Sequence, residues 1–466
     1  MRTLIKNGTI VTSEAEYQGD ILIAEDKIEA IGSDLDVEAD QVIDAEGKYV
    51  LPGGIDQHVH YSFEFNGEEV KGFETTDAAA VGGTTTVIEF VNQEKGRGLV
   101  ETMEDYNENR VKDKAMVDYS FHPVMTDARP EVIEEVAELA EYGTPTVKLF
   151  MAYKGMFFHS DDETIAKTMR VAKDHGVTVM VHAENGDLVD MFQKEEVEKG
   201  NTDPYYHAVS RPPIVETEAT ERVIHLAEAM DSPVYVMHVT TEGAGEAIKN
   251  AQLEGAPVYG ETCVQYLTLT ADDLARENFE GAKYVMSPAL RDEEDQDYLW
   301  EAIDNGWINA VSTDHCGFDF ETQKVMGKDD FRNIPNGAPG VEDRLGILWT
   351  EGVEKGRISK TKLVDLFSTT PAKNTGLEHR KGHLAPGYDA DIVVYDPNES
   401  KTISAETSLH GTDYNTFEGF EQKGVVDKVF LRGQQIVDNG EFTGEQGQGE
   451  FIEREAYGLA YENVEA

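Results

Sequence analysis

Five short apolar segments of this chain contain or end in a side chain able to bind a metal. They are GGIDQHVH with His58 and His60, TVKLFMA with Lys148, TVMVHAE with His182, VYVMHVT with His238, and INAVSTDH with Asp314. His58 and His60 stand two residues apart, so on an extended segment both imidazoles leave one face while Val59 leaves the other. That pair alone also suits a structural role. His182 and His238 each close an apolar run, where a lone histidine is usually a core residue making one hydrogen bond; four histidines at matching strand ends point instead to a metal site. Asp314 supplies a carboxylate, although by itself it would read as a helix N-cap. His315 would face the other way and is left out of the ligand set, and His122 reads as supporting a ligand more than being one.

Lys148 is the odd member. Flanked by Val147 and Leu149, it cannot easily reach solvent, and an ammonium beside divalent metals would be strongly repelled. Addition of CO2 to the neutral amine gives a carbamate, an anionic oxygen donor able to bridge two metals. A liability thereby becomes a ligand.

These residues need a scaffold that gathers strand ends. Eight segments read as strands: 55–60, 85–90, 117–123, 146–152, 178–184, 234–240, 257–267 and 308–315. Helical patterns such as DETIAKTMRVAKDHG separate most of them, the signature of an α/β fold with parallel βα units closing into a (β/α)8 TIM-like barrel. The competing doubly wound sheet lacks its Gly-rich phosphate turn here. The candidate ligands fall at the C-terminal strand ends, where barrel enzymes build their sites.

Both chain ends differ from this middle. LIKNGTIV and GDILIAEDKIEAIG near the start, and ADIVVYDP and GVVDKVFLRGQQIVDNG near the end, alternate apolar and polar residues with turn signals. The expected organisation is a discontinuous β-sandwich domain from 1–52 and 377–440, the barrel over 53–376, and a C-terminal tail over 441–466.

Of the 466 residues, 91 are acidic and 40 are Lys or Arg, a formal charge of −51. A hydrophobic fraction of 39% argues against an acidic disordered chain. The charge is spread along the sequence with no basic patch, which argues against nucleic-acid and anionic-membrane partners. Over the roughly 17,000 Å² expected for a compact chain of this mass, the carboxylates would stand on the order of 14 Å apart. Concentrated salt, with a Debye length of about 3 Å at 1 M, would remove most of their repulsion, so a halophilic origin is expected. The start MRTLIKNGTI lacks the apolar stretch of a signal peptide, and the two cysteines, Cys263 and Cys316, show no paired spacing. A cytoplasmic location is expected.

The strings GGIDQHVH, VKLFMAYKG, HAENG, YYHAVSRPP, GETCVQYL, GAKYVMSPALR, STDHC, IPNGAPGVEDR and GYDADIVVYDPN resemble the dihydropyrimidinase/D-hydantoinase branch of the amidohydrolase superfamily, over almost the whole chain. The resemblance implies two Zn²⁺ per subunit, with His58, His60 and Asp314 on one, His182 and His238 on the other, and carboxylated Lys148 bridging them. It further implies Asp314 as general base then acid, Tyr153 as hydrogen-bond donor to the developing oxyanion, backbone groups around Ser287 and Asn336 as readers of the cyclic amide, and a homotetramer in which the tail reaches a neighbouring subunit. Dihydroorotases, which resemble the chain around the metal site, place an arginine two residues after the second histidine, where Ser62 stands here. Phe63, Phe65, Phe157 and Phe158 offer an aromatic wall suited to 5-substituted hydantoins or dihydropyrimidines. Allantoinase or dihydroorotase-like activity is the alternative, as is a non-catalytic structural homologue, against which the filled ligand positions weigh.

Overall fold

A computed structural model describes residues 1–65, 68–155 and 158–456. At its centre, eight segments form a parallel sheet: β1 (Gly54–His60), β2 (Thr84–Asn92), β3 (Asp118–Val124), β4 (Thr146–Phe150), β5 (Thr178–His182), β6 (Val234–Val236), β7 (Val258–Cys263) and β8 (Ala310–Ser312). Each pairs with the next in order. After β8 the chain passes through Thr313 and Asp314 and resumes as His315–Cys316, which pairs with β1 and closes the ring. Phe90, Val124, Met180, Tyr235, Met237 and Tyr259 form an inner cluster, while a much larger apolar layer lies between strands and helices. The helix Asp162–Asp174 shows why the chain builds that outer layer: Asp161 caps it by accepting the Thr164 N–H at 2.9 Å, and Ile165, Thr168, Met169 and Ala172 form its buried stripe.

Several strands are shorter than their apolar runs. β6 ends at Val236 and β8 at Ser312, because His238 and Asp314 take left-handed backbone angles, φ 51° and 50°, that leave the ladder. Asp56 ties the seam on the other side. It accepts from Thr313 Oγ1 at 2.7 Å, from the Thr313 N–H at 3.3 Å and from the His58 N–H at 3.2 Å. Arg344, wholly buried, donates to the carbonyls of Ile55 and Val311 and to Thr84 Oγ1, gripping β1, β8 and β2 together.

Strands from the two chain ends form one mixed nine-stranded sheet, in which Tyr49–Pro52 lies between Arg2–Val11 and Ile392–Thr402. It has a core of its own, built from residues such as Ile10, Ile23, Val50, Ile392 and Phe430. The segment after this sheet runs back over its own barrel. Tyr119 exchanges backbone hydrogen bonds with Glu450 and Ile452, and Arg454, buried, donates to Ser120 Oγ at 3.0 Å and Thr146 Oγ1 at 2.9 Å. Tail residues 457–466 lie outside the described residues. Among the described residues no helix is long and apolar enough to cross a membrane.

Candidate metal centre

At the C-terminal mouth of the barrel the expected ligands converge. Ligand atoms of His58, His238 and Asp314 lie within 4.8 Å of one another. Asp314 Oδ1 stands 3.0 Å from Nε2 of both His58 and His60. His182 Nδ1 stands 2.8 Å from His238 Nε2. β1 delivers two of these rings, β5 delivers His182 as its last residue, and the turns after β6 and β8 deliver His238 and Asp314. The left-handed angles at His238, Asp314 and Tyr153 (φ 60°) swing these side chains inward. Such angles cost about 1–3 kcal/mol at a non-glycine residue, and they concentrate at sites that need them.

Two carboxylates stand behind the histidines. Glu261 on β7 lies 2.5 Å from His58 Nδ1 and is itself held by Gln57 Nε2 at 2.7 Å and Ser312 Oγ at 2.6 Å. Glu184 lies 2.7 Å from His182 Nε2 and accepts from Arg211 at 3.1 and 3.2 Å. Each carboxylate holds a hydrogen on the far nitrogen, so the near one, Nε2 of His58 or Nδ1 of His182, presents a lone pair to the cluster. His58 Nε2 is buried with no hydrogen bond although a carboxylate oxygen lies 3.0 Å away. Lone-pair nitrogens and a carboxylate oxygen aimed at a common point form a donor set that fits a divalent transition metal.

Electrostatics agree with that fit at three of the four histidines. Burial pushes His60 down to about 4, and it also lowers His182 and His238, which favours the neutral imidazoles a metal requires. Burial would lower His58 too, but Asp314 and Glu261 outweigh it. Asp314 is held well below the carboxylate range by His58 and His60 despite its own desolvation.

Lys148 faces the barrel interior, 1% exposed, with Nζ 4.1 Å from the centre of the Phe90 ring and 4.7 Å from that of Phe150. Phe90 in turn packs 4.6 Å from the His58 ring, so the amine lies directly beside the histidines. Burial brings it down to about 8, against the pull of Asp314 and Glu261.

Tyr153 is partly buried, its ring 5.6 Å from that of His182. Burial pushes its phenol up, partly countered by Arg211 and by the side chains of Ser287 and Asn336. Those three residues thus share one corner of the mouth. Phe63 lies 6.2 Å from the His60 ring and Phe158 6.5 Å from Tyr153, placing two of the four expected aromatics beside the cluster. Phe157 and the side chain of Phe65 lie outside the described residues. His122 bonds Thr146 Oγ1 at 2.6 Å and the Gln57 carbonyl at 3.2 Å, beneath the ligands. His315 accepts the Gly340 N–H at 3.2 Å, away from the cluster.

An amidohydrolase family model matches residues 49–436. The chain belongs to the amidohydrolase family. It is 47% identical to a D-hydantoinase of Geobacillus stearothermophilus over 98% of each chain. Its fold matches the crystal structure of a dihydropyrimidinase from Brevibacillus agri with a TM-score of 0.96 at 46% identity, covering 98% of this chain and 99% of that one. It also matches an L-hydantoinase (dihydropyrimidinase) from Arthrobacter aurescens with a TM-score of 0.89 at 31% identity, covering 97% and 99%. For this amidohydrolase the buried histidine and aspartate cluster is the candidate metal centre.

Reading the sequence for ligands passed over Glu261, Glu184, Asp56 and Arg211. A signal was present for the first: in VYGETC a glutamate sits inside an apolar strand, on the same side as Tyr259, and such a charge needs a buried partner.

Proposed function

We propose that this amidohydrolase opens the ring amide of hydantoins or dihydropyrimidines. The observation that carries the reading is the convergence of five ligand-type side chains, His58, His60, His182, His238 and Asp314, around an interior lysine at the C-terminal barrel mouth. His58, His60 and Asp314 would hold one zinc, His182 and His238 the other, and Lys148 as a carbamate would lie between them. Bound zinc would polarise the amide carbonyl and make water nucleophilic near neutral pH. Asp314, in hydrogen-bond reach of both β1 imidazoles, would take a proton from the attacking water and return it to the departing ring nitrogen. Tyr153, whose raised pKa keeps its proton on at working pH, would donate to the carbonyl oxygen as charge develops there. Peptide groups at Ser287 and Asn336 would orient the ring, and Phe63 and Phe158 would receive its 5-substituent.

A neutral ring suits this mouth better than dihydroorotate does. Ser62 is buried where a carboxylate-binding arginine would be needed, and Arg211, the cation acting on Tyr153, is already engaged by Glu184. Greater likeness to the D-hydantoinase than to the L-hydantoinase favours the D-enantiomer. The reading extends to a cytoplasmic homotetramer. The test is to load purified protein with Zn²⁺ and bicarbonate and assay dihydrouracil, hydantoin, D- and L-5-phenylhydantoin, allantoin and dihydroorotate. Turnover of dihydrouracil, hydantoin and the 5-phenylhydantoins, with D preferred, is expected. Turnover of only allantoin or dihydroorotate would overturn the substrate assignment, and a failure to bind zinc would overturn the enzyme itself.

A further inference from the structure

Lys324 is fully buried; burial pushes its amine down to about 7, while three backbone carbonyls, instead of a carboxylate, favour its ammonium form. Nζ donates to the Val285 carbonyl at 2.9 Å, to Pro335 at 2.7 Å and to Gly337 at 2.6 Å. An ammonium has three N–H donors, and these three acceptors satisfy them. The arrangement costs desolvation without the return of an ion pair, so it needs another reason to exist.

The positions of the three carbonyls supply one. Val285 lies two residues before Ser287, and Pro335 and Gly337 flank Asn336, so one cation grips both loops that meet at Tyr153. Other contacts converge on the same pair of loops. Gly337 N–H donates to the Val285 carbonyl at 3.0 Å, and His207 Nε2 lies 2.8 Å from the Met286 carbonyl. Gly337, at φ 118°, packs so closely on Cys316 that a Cβ there would lie 2.5 Å from its sulfur. Lys324 is the only charged group among these contacts. It reaches the loops from the turn Lys324–Gly327 by passing beside Phe318, whose ring centre lies 5.6 Å from Nζ.

We propose that Lys324 is a positioning residue for substrate, fixing the separation and orientation of the peptide groups at Ser287 and Asn336 that read the cyclic amide. This rests on the ring-opening function argued above. Lys324 touches neither the histidines nor Asp314 in that account, so its loss misaligns the ring reader and leaves the metal centre intact.

The experiment compares KM, kcat and zinc content of Lys324→Met with wild type on hydantoin. Methionine fills similar space and offers no donor. KM should rise about ten- to a hundredfold, the size of one lost charge-assisted hydrogen bond, with two zinc retained and kcat within about threefold. A merely structural role would lower the folded fraction and leave the KM of the active remainder unchanged, which overturns the proposal. Should Lys324→Met not fold, Lys324→Arg decides, because a planar guanidinium keeps the charge but cannot meet three converging carbonyls. A raised KM in that variant supports the positioning role and a wild-type KM overturns it. Wild-type protein that opens no cyclic amide overturns the parent reading, and this one with it.

Discussion

At the scale of single residues, the metal centre depends on groups whose protonation is set by burial. Lys148 brought down to about 8 by desolvation is half neutral near that pH, whereas an exposed lysine would be about 0.3% neutral there. Only the neutral amine adds CO2. For the carbamate proposed above, the rate of recovery after metal removal and decarboxylation, at fixed dissolved CO2, should climb about tenfold per pH unit up to about 8 and then level. A rate still climbing past pH 9, followed by zinc uptake, would show that the amine is not desolvated. Glu261 makes a second prediction. Its bond to His58 Nδ1 sets which nitrogen would face a bound metal, so, of the two zinc equivalents proposed above, Glu261→Gln should weaken one by about 10- to 100-fold and spare the one assigned to His182 and His238. Competition with a chromophoric chelator resolves the two phases, and equal loss in both would contradict a local role. The convergence of the candidate histidines was legible because two stand two residues apart on one strand and the other two each close an apolar run. Glu261 and Glu184 were not, because their partners lie 203 and 2 residues away and only the fold shows that both pairs serve one cluster.

At the scale of elements, the barrel was legible from eight apolar runs separated by helical patterns, and the place of the site followed from strand direction. The strand ends were not, since left-handed turns at His238 and Asp314 follow from neither composition nor periodicity. The closing seam was equally hidden. It depends on Arg344 bonding Ile55, Val311 and Thr84, with its Nε 4.0 Å from the Asp56 carboxylate. Both groups are buried, so removing one strands the other: Arg344→Leu should cost about 3–5 kcal/mol of stability. The double variant Arg344→Leu, Asp56→Asn should cost less than Arg344→Leu alone. Denaturant midpoints measure both. A single variant as stable as wild type would mean that the strand ladder closes the barrel unaided. Since Asp56 also holds the backbone at His58 and Thr313, loss of the seam should reach the metal before it reaches the outer helices.

At the scale of the molecule, the chemistry leaves the charge of −51 unexplained, because a neutral ring needs no steering and the site's carboxylates are buried and bonded. The accessible surface is 17454 Å², and 91 acids spread over it would lie about 14 Å apart. The Debye length falls from about 30 Å at 0.01 M through 8 Å at 0.15 M to 3 Å at 1 M. Neighbouring acids therefore feel one another in dilute buffer and hardly at all in molar salt. Many surface ion pairs, such as Arg97 with Glu94 and Glu101, offset part of this repulsion, but exposed pairs contribute little and weaken as salt rises. The thermal midpoint should accordingly rise steeply between 0.01 and about 0.5 M NaCl and flatten near 1 M. Assembly into the homotetramer proposed above, which would bring like-charged faces together, should follow the same curve, with light scattering reporting dissociation in dilute buffer. A midpoint independent of salt below 1 M would show that self-repulsion does not limit this fold. A rise confined to multimolar salt would assign the gain to ion hydration at the carboxylates, because screening at 14 Å is already complete by then.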